Sequence, residues 1–360
     1  MWFLLSLGNY SAPGSLQHRR ARARICLIGP LEAIELFAGA GGLSLGLEAA
    51  GFVPAAAVEF VPDACATYRS EHPGAKVFQA DISTVDFRAM RGCFALVAGG
   101  PPCQPFSVGG KRLSADDPRN GIPQFLRALG ELRPKAFIME NVAGMAAGAR
   151  QPYLLAVTAQ MEHLGYSTTW QVLEAADYGV PQTRRRLFVV GTTTGTRFSF
   201  PAPSHGLVVR RPHRSAGSVI GNQAPPGTPN TAIVTYALRP SMRPSGYHGH
   251  LYNGGGRPIE LTRPAPTMLA SMGGNKTPWV DTLGIVTEYH AHLRAGGSPR
   301  RGLVPGARRI TVEEAALLQS FPAGIAFAGR RSSQYRQVGN AVPPVLAEQV
   351  GLALRRQLFG

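Results

Sequence analysis

Leu31-Glu32-Ala33-Ile34-Glu35-Leu36-Phe37-Ala38-Gly39-Ala40-Gly41-Gly42-Leu43-Ser44 decides the fold of this chain. The apolar run 31–37 reads as a buried strand. Its glycines then give a tight turn that a ligand can approach closely. From Leu43 to Ala50 the apolar positions take helical spacing, and Gly51 stops the helix. Further strand signals follow at Val53–Phe60, Lys76–Gln79, Phe94–Ala98 and Ala136–Met139, with helical patterns between several of them. Strands alternating with helices predict an α/β fold built on a doubly wound parallel sheet. Two more strands, near Thr168–Leu173 and Arg186–Val190, are close enough in sequence to pair antiparallel at the far end of that sheet.

Open sheets of this kind bind ligands beyond the carboxyl ends of their strands. Several chemically capable residues fall there. Glu59 ends the second strand, twenty residues after Gly39, where a carboxylate can accept from ribose hydroxyls. Asp81 follows the third, placed to accept from an exocyclic amine. After Phe94–Ala98 two glycines lead into Pro101-Pro102-Cys103-Gln104-Pro105-Phe106, so one thiol sits at the edge with prolines on both sides. That setting suits a nucleophile better than a packing cysteine. Glu140, in Ile138-Met139-Glu140-Asn141-Val142, ends another apolar strand at the same edge, where partial desolvation favours its protonated form. Gln182-Thr183-Arg184-Arg185-Arg186 puts Arg184 and Arg186 on one face and Arg185 on the other.

The chain has 360 residues, enough for two domains, and a formal net charge of +16. Such a charge calls for a polyanionic partner, nucleic acid first and an anionic membrane surface second. Between Tyr178 and Ile259 there is no Asp or Glu, yet Arg184, Arg185, Arg186, Arg197, Arg210, Arg211, Arg214, Arg239, Arg243 and Arg257 all occur. A general solvated surface mixes signs; this stretch is suited to phosphates. Residues 200–260 are rich in Pro, Gly, His and Arg without helical period, as a loop-dominated second domain requires. Thr311-Val312-Glu313-Glu314 reads as a capping box, and Val345 to Leu358 as an amphipathic helix. Cysteines 26, 65, 93 and 103 show no ligand spacing, so no metal site is expected and a reducing compartment fits. No apolar run is long enough to span a membrane, and a cytoplasmic protein is expected. The expected divisions are a disordered extension at 1–30, a catalytic domain from 31–195 and 333–360, a recognition domain at 196–310, and a connecting helix at 311–332.

Taken together and in order, Phe37–Gly42, Glu59, Asp81-Ile82, Pro101–Gln104, Glu140–Val142, Gln182–Arg186, Arg263-Pro264-Ala265-Pro266-Thr267 and Gly339-Asn340-Ala341-Val342 resemble the DNA (cytosine-5) methyltransferases of restriction-modification systems, over roughly residues 31 to 355. The resemblance implies a Rossmann-like methyltransferase sheet with a smaller, loop-rich DNA-recognition domain, and S-adenosylmethionine as cofactor. It implies that Phe37 stacks on the adenine, that Gly39, Gly41 and Gly42 surround the methionine portion, and that Glu59 takes the ribose. Asp81 with Ile82 would meet the adenine edge, Phe60 would pack on it where the family more often has Trp, and Pro102 and Asn340 would complete the cofactor side.

Cys103 would be the nucleophile, Glu140 the partner of cytosine N3 and N4, Arg186 the donor to the base carbonyl, and Arg184 a positioner of the base and the Cys103 loop. Residues 106–112 would form a lid, with Gln104, Ser107, Lys111 and Arg112 on DNA; Arg210, Arg211 and Arg257 would bind DNA from the recognition segment. Arg184 and Arg210 are both expected to meet phosphate and to contribute to the salt dependence of binding. Double-stranded DNA is the expected partner of a monomeric enzyme, with a paired restriction endonuclease as a functional companion. The tRNA (cytosine-5) methyltransferases share the nucleophile loop, but Phe106-Ser107 resembles the DNA branch.

Overall fold

The computed structural model describes residues 30–102, 120–223, 230–240 and 258–360. Cys103, Gln104, Ser107, Lys111, Arg112, Arg243 and Arg257, with the extension and the lid, therefore lie outside the described residues.

Seven strands form the main sheet: β1 (Glu32–Leu36), β2 (Val53–Glu59), β3 (Lys76–Gln79), β4 (Leu96–Gly99), β5 (Ala136–Val142), β6 (Ser167–Glu174) and β7 (Arg185–Thr192), in the order β3-β2-β1-β4-β5-β7-β6. The first five are parallel. β7 pairs antiparallel with the edge strand β6, as the short spacing between the two predicts, and it is β7 that lies next to β5. The strand order reverses between β1 and β4, so the loops after these two strands splay apart and open a crevice at the carboxyl edge.

Strand alternation divides the core between the two faces. Ile34, Leu36, Val97, Phe137, Met139, Leu187 and Val189 pack under α3 (Ile122–Leu132) and α4 (Gln151–His163). Ala33, Leu96, Ala98, Ile138, Phe188 and Val190 pack under α1 (Gly42–Ala49) and the final helix, α8 (Pro344–Leu358). α8 thus returns the end of the chain to the element that follows β1. The two helices meet through small residues: a Cβ on Gly46 would overlap Pro344 O and Ala347 Cβ, and Gly351 lies against Ala50 and Leu47.

A second sheet, β8 (Pro258–Ile259), β9 (Trp279–Asp281) and β10 (Ala307–Arg309), has order β10-β9-β8. Val234, Tyr236, Trp279, Val286, Tyr289, Leu293 and Val304 form a small core with α5 (Ile285–Arg294). Another core unites Ala216, Ile220, Ile259, Ala265 and Met268 with α6 (Val312–Leu318), α7 (Arg331–Asn340) and Ala40 of the glycine turn. The capping box at Thr311 and Glu314 is formed in both directions, which starts α6 where the sequence predicts. No described helix is long and apolar enough to cross a membrane.

Candidate active site

The glycine turn leaves β1 through left-handed backbone at Phe37 (φ 56°), Gly39 (φ 55°) and Gly41 (φ 80°). For Phe37, which has a Cβ, that conformation costs about 1–2 kcal/mol. Glu59 holds the turn: its Oε2 accepts from Gly39 N at 2.8 Å, while Oε1 accepts from Phe60 N at 2.9 Å and Val61 N at 2.8 Å. A carboxylate has about four acceptor sites, so it retains capacity for a vicinal diol. Beside it Phe60 is 67% exposed, a large ring kept in solvent at a ligand edge. Phe37 lies against Gly121 and Pro102, since a Cβ on Gly121 would come within 2.9 Å of the ring and 2.6 Å of Pro102 Cδ.

Asp81 caps a short 3-10 turn, Ile82–Thr84, accepting from Ser83 N at 2.8 Å and Ser83 Oγ at 2.7 Å. These donors hold its carboxyl below the usual carboxylate range. Arg127 on α3 secures the same turn, donating to Ile82 O at 2.7 Å and Val85 O at 3.0 Å. Asn340 arrives from the other end of the chain: a Cβ on Gly42 would sit 2.5 Å from Val342 O, so the 340–342 segment is seated directly on the glycine turn. Glu59 is thus tied to the glycine turn and, through Ala80 N, to the strand end before Asp81, while Phe37 and Pro102 both border Gly121; carboxylates, an aromatic ring and open backbone along one edge suit a nucleoside-containing cofactor.

Sequence reasoning missed a polar cluster under the turn. Glu35 on β1 accepts from Ser44 N at 3.1 Å and from Ser44 Oγ, which also meets Tyr68 OH at 2.7 Å. Burial pushes the Glu35 carboxyl up to about 8. His72 lies against Gly41 and pairs with Glu48 at 3.2 Å. Alternation within β1 could have flagged Glu35 as a charged residue on a buried face.

The second half of the crevice follows β4 and β5. Asn141 Nδ2 donates to Pro101 O at 3.0 Å and fixes the start of the Pro-Pro-Cys loop. Glu140 is buried, and Gly100 permits its approach, because a Cβ there would stand 3.1 Å from Glu140 Oε2. The opposite oxygen, Oε1, lies 2.9 Å from Arg186 Nε. Burial holds the Glu140 carboxyl above the usual range, while the guanidinium groups of Arg186 and Arg184 oppose the shift. On the α3 side of the crevice, Asn120 donates to Tyr153 OH at 2.7 Å. Glu140 and Arg186 are thus brought together beside Gly100, which precedes Cys103 by three positions in the sequence.

Arg184 requires a correction. Its side chain is 1% exposed and donates to Met268 O at 2.9 Å, Gly339 O at 2.9 Å and Ala341 O at 3.0 Å. A guanidinium so enclosed cannot meet phosphate, and the expected contribution to salt-dependent binding is withdrawn. It lies inside the molecule because residue 184 precedes β7 and turns under the 265–270 and 339–341 segments. Arg210 and Arg211 are exposed, in a turn closed by a bridge between Gly206 and Arg211. Leu207 and Val208 at its tip are also exposed.

A Rossmann-like sheet with a left-handed glycine turn after β1 and a carboxylate, Glu59, bound to that turn is the architecture of a methyltransferase. The family model for C-5 cytosine-specific DNA methylase matches residues 31–225 and 248–356. The chain is 36% identical over 335 residues to the Type II methyltransferase M1.HphI of Haemophilus parahaemolyticus, covering 89% of this chain and 86% of that one. It is 34% identical over 336 residues to M.NgoMIV of Neisseria gonorrhoeae, covering 90% and 97%. Among solved structures it is similar to a putative prophage-encoded DNA modification methyltransferase from E. coli (TM-score 0.63, 21% identity, 91% and 99% covered). It is also similar to Dnmt2 of S. pombe (TM-score 0.64, 19% identity, 91% and 100% covered). The chain belongs to the C-5 cytosine-specific DNA methylase family, and it is a DNA (cytosine-5) methyltransferase of the Type II restriction-modification kind.

Proposed function

We propose that this enzyme transfers a methyl group from S-adenosylmethionine to C5 of a cytosine in a specific duplex sequence, through a covalent adduct of Cys103 at C6. The observation that carries this reading is the buried Glu140–Arg186 pair abutting Gly100 at the mouth of the Pro-Pro-Cys loop. Phe37, Glu59, Asp81, Ile82 and Asn340 would hold the cofactor, with Gly39, Gly41, Gly42, Phe60 and Pro102 around them. When bound, S-adenosylmethionine supplies an electrophilic methyl on sulfonium.

Cytosine C5 is a weak nucleophile until the ring is activated. The Cys103 thiolate forms a bond to C6 while N3 takes the proton held by Glu140, leaving C5 as an enamine-like carbon. C5 would then take the methyl as its bond to sulfur breaks and the donor leaves as a neutral thioether, and C5 would lose its own proton to solvent base. The C6–sulfur bond breaks, thiolate departs, and the N3 proton returns to Glu140. Arg186 keeps Glu140 aimed and directs a guanidinium N–H to the base carbonyl oxygen. In duplex DNA the C6 face is covered by stacking, so the cytosine is flipped into the crevice. Gln104, Ser107, Lys111, Arg112, Arg210, Arg211 and Arg257 would contact the DNA, and residues 196–310 would choose the sequence. The partner is double-stranded DNA, a companion restriction endonuclease acts on the same site, and the enzyme works as a cytoplasmic monomer.

The test is transfer of labelled methyl from S-adenosylmethionine to duplex DNA and, separately, to tRNA, with nucleoside mass analysis. 5-Methylcytosine in DNA is expected. Label in tRNA alone, or in neither, overturns the reading.

A further inference from the structure

Two stretches distant in sequence close the site from above: 265–270, and 339–342 with its seat on the glycine turn. Neither belongs to the main sheet. Three fully buried polar side chains connect them to it. Gln182, just before β7, accepts from Met268 N at 2.9 Å and donates to Leu318 O at 3.2 Å and to Gln319 Oε1 at 2.6 Å. Gln319, which caps the end of α6 and is 0% exposed, donates in turn to Ala341 O at 2.6 Å. Ala341 O also accepts from Arg184 Nη2, whose companion bonds reach Met268 and Gly339. Gly339 itself must be glycine, since a Cβ would lie 2.5 Å from Ala270 N. A closed polar circuit therefore runs Gln182–Gln319–Ala341–Arg184, two residues from Arg186 on one side and one residue from Asn340 on the other.

The circuit has more polar groups than simple chain closure needs. A buried glutamine offers two donors and two acceptor sites, and burying it is unfavourable unless they are matched. An apolar residue at 319 would fill the same core without that demand. Gln319 is matched on both ends of its amide, and each end holds a different half of the site: Oε1 the Gln182–Arg186 segment, Nε2 the Asn340–Val342 segment. Its removal would leave Ala341 O one donor short and deprive Gln182 Nε2 of its 2.6 Å acceptor, leaving only the longer bond to Leu318 O.

We propose that Gln319 is a positioning residue that holds the cofactor-side turn at Asn340 in register with the base-side arginine at Arg186. It touches neither ligand and acts through Ala341 and Gln182. This rests on the reading of those two segments as cofactor and base sites.

The experiment compares Gln319→Met and Gln319→Glu with Val280→Ala, a truncation on β9 in the same hydrophobic core whose side chain makes none of the circuit's hydrogen bonds. For each full-length variant the Kd for S-adenosylmethionine is measured by calorimetry, kcat and KM with duplex DNA as substrate, and Tm. Gln319→Met is expected to raise the cofactor Kd about 10-fold and to lower kcat about 10-fold, losses in keeping with one buried hydrogen bond. Val280→Ala should lower Tm while leaving Kd and kcat within about twofold, as a purely structural loss does.

Gln319→Glu supplies the signature that packing cannot imitate. When protonated, its hydroxyl can donate to Ala341 O while its other oxygen accepts from Gln182; when ionised it has no donor. Its Kd relative to wild type should therefore approach one at acidic pH and rise with pH. The Arg184 guanidinium beside it favours ionisation and moves that rise to lower pH. The isosteric Glu variant also serves where Gln319→Met does not fold. Wild-type Kd and kcat in Gln319→Met, losses equal to those of Val280→Ala, or a Gln319→Glu defect that is constant with pH each overturn the proposal. If wild type binds S-adenosylmethionine but methylates no DNA, the functional reading fails, while the Kd ratios still decide on Gln319. A wild type that binds no S-adenosylmethionine overturns both.

Discussion

Arg186 and Glu140 meet because of strand register. Across the antiparallel β5–β7 pair, Glu140 stands opposite Phe188 and Arg186 opposite Val142. Alternation puts both side chains on the α1 side of the sheet as diagonal neighbours, within reach of a long side chain. The 2.9 Å contact follows. A one-residue slip of β7 would send Arg186 to the opposite face and leave the buried Glu140 carboxylate without its 2.9 Å partner. The buried apolar residues on both sides of β7 forbid that slip, so core packing sets the geometry of the Glu140–Arg186 pair.

Glu140→Gln should lower kcat by about 100- to 10,000-fold, the range for losing a positioned general acid, with Tm close to wild type. Single-turnover methylation and thermal unfolding check this. Because the carboxyl must carry its proton to give it to N3, wild-type kcat should also fall on the alkaline side as pH rises through the raised pKa of Glu140. The variant should lack that limb. An alkaline limb retained in Glu140→Gln would assign it to another group.

Arg184 and Arg210 should separate in their effects. Arg184→Met leaves carbonyl groups of Met268, Gly339 and Ala341 without a charged donor, and should cost about 3 kcal/mol of stability or more. The salt slope of DNA binding should not change, since the side chain is enclosed. Replacing exposed Arg210 and Arg211 by Gln should instead make the slope of log affinity against log salt less negative by about 1.8, with no stability loss. Filter-binding titrations at several salt concentrations, beside urea unfolding, distinguish the two.

The strands of the main sheet, the antiparallel pairing of β6 with β7 and the capping box were legible because each is carried by local pattern: apolar runs, short spacing, a Thr-x-x-Glu signal. The places of Phe37, Glu59 and Asp81 along the carboxyl edge were legible for a related reason, since each lies at or just after the end of a strand. Arg184 was misread because alternation says which face a residue takes but not what covers that face. The cover comes from residues 268 and 339–341, far along the chain. Gln319 and Glu35 carry no local mark of function; their roles arise from tertiary contacts that only the fold assembles. The small β8–β10 sheet with α5 was not anticipated, because its strands are only two or three residues long and lack a visible period.

The seat of α8 on α1 also depends on long-range contact. Gly46→Ala inserts a methyl where Pro344 O and the Ala347 side chain already stand, and neither is a flexible side-chain end. The helices must separate, and a loss of about 1–3 kcal/mol is expected in urea unfolding. Ala→Gly at exposed helical position 49 costs about 1 kcal/mol by propensity alone and gives the comparison. A neutral Gly46→Ala would show that α8 can shift without loss, and would remove it as a fixed support of the cofactor turn.

Glu35 should make stability fall as pH rises. Its folded-state pKa is raised to about 8 against an ordinary value of 4.5, so between those values the native chain holds a proton that the unfolded chain has released. By linkage the native state is then penalised progressively as pH increases. Glu35→Gln keeps the shape and an acceptor for Ser44 N and Oγ but cannot ionise. The stability of the variant relative to wild type should therefore grow from pH 5 to pH 8, by up to about 1.4 kcal/mol per pH unit. His72, whose pKa burial lowers, works in the opposite direction near neutrality, favouring the folded state as pH rises. Glu48, Glu59 and Tyr68 also face the cluster. All four are common to both proteins, so the difference between the two curves isolates Glu35. Urea unfolding of both at pH 5, 6, 7 and 8 measures that difference. A gap constant across the range would mean that Glu35 is ionised in the native state, with its charge balanced by the Ser44 donors.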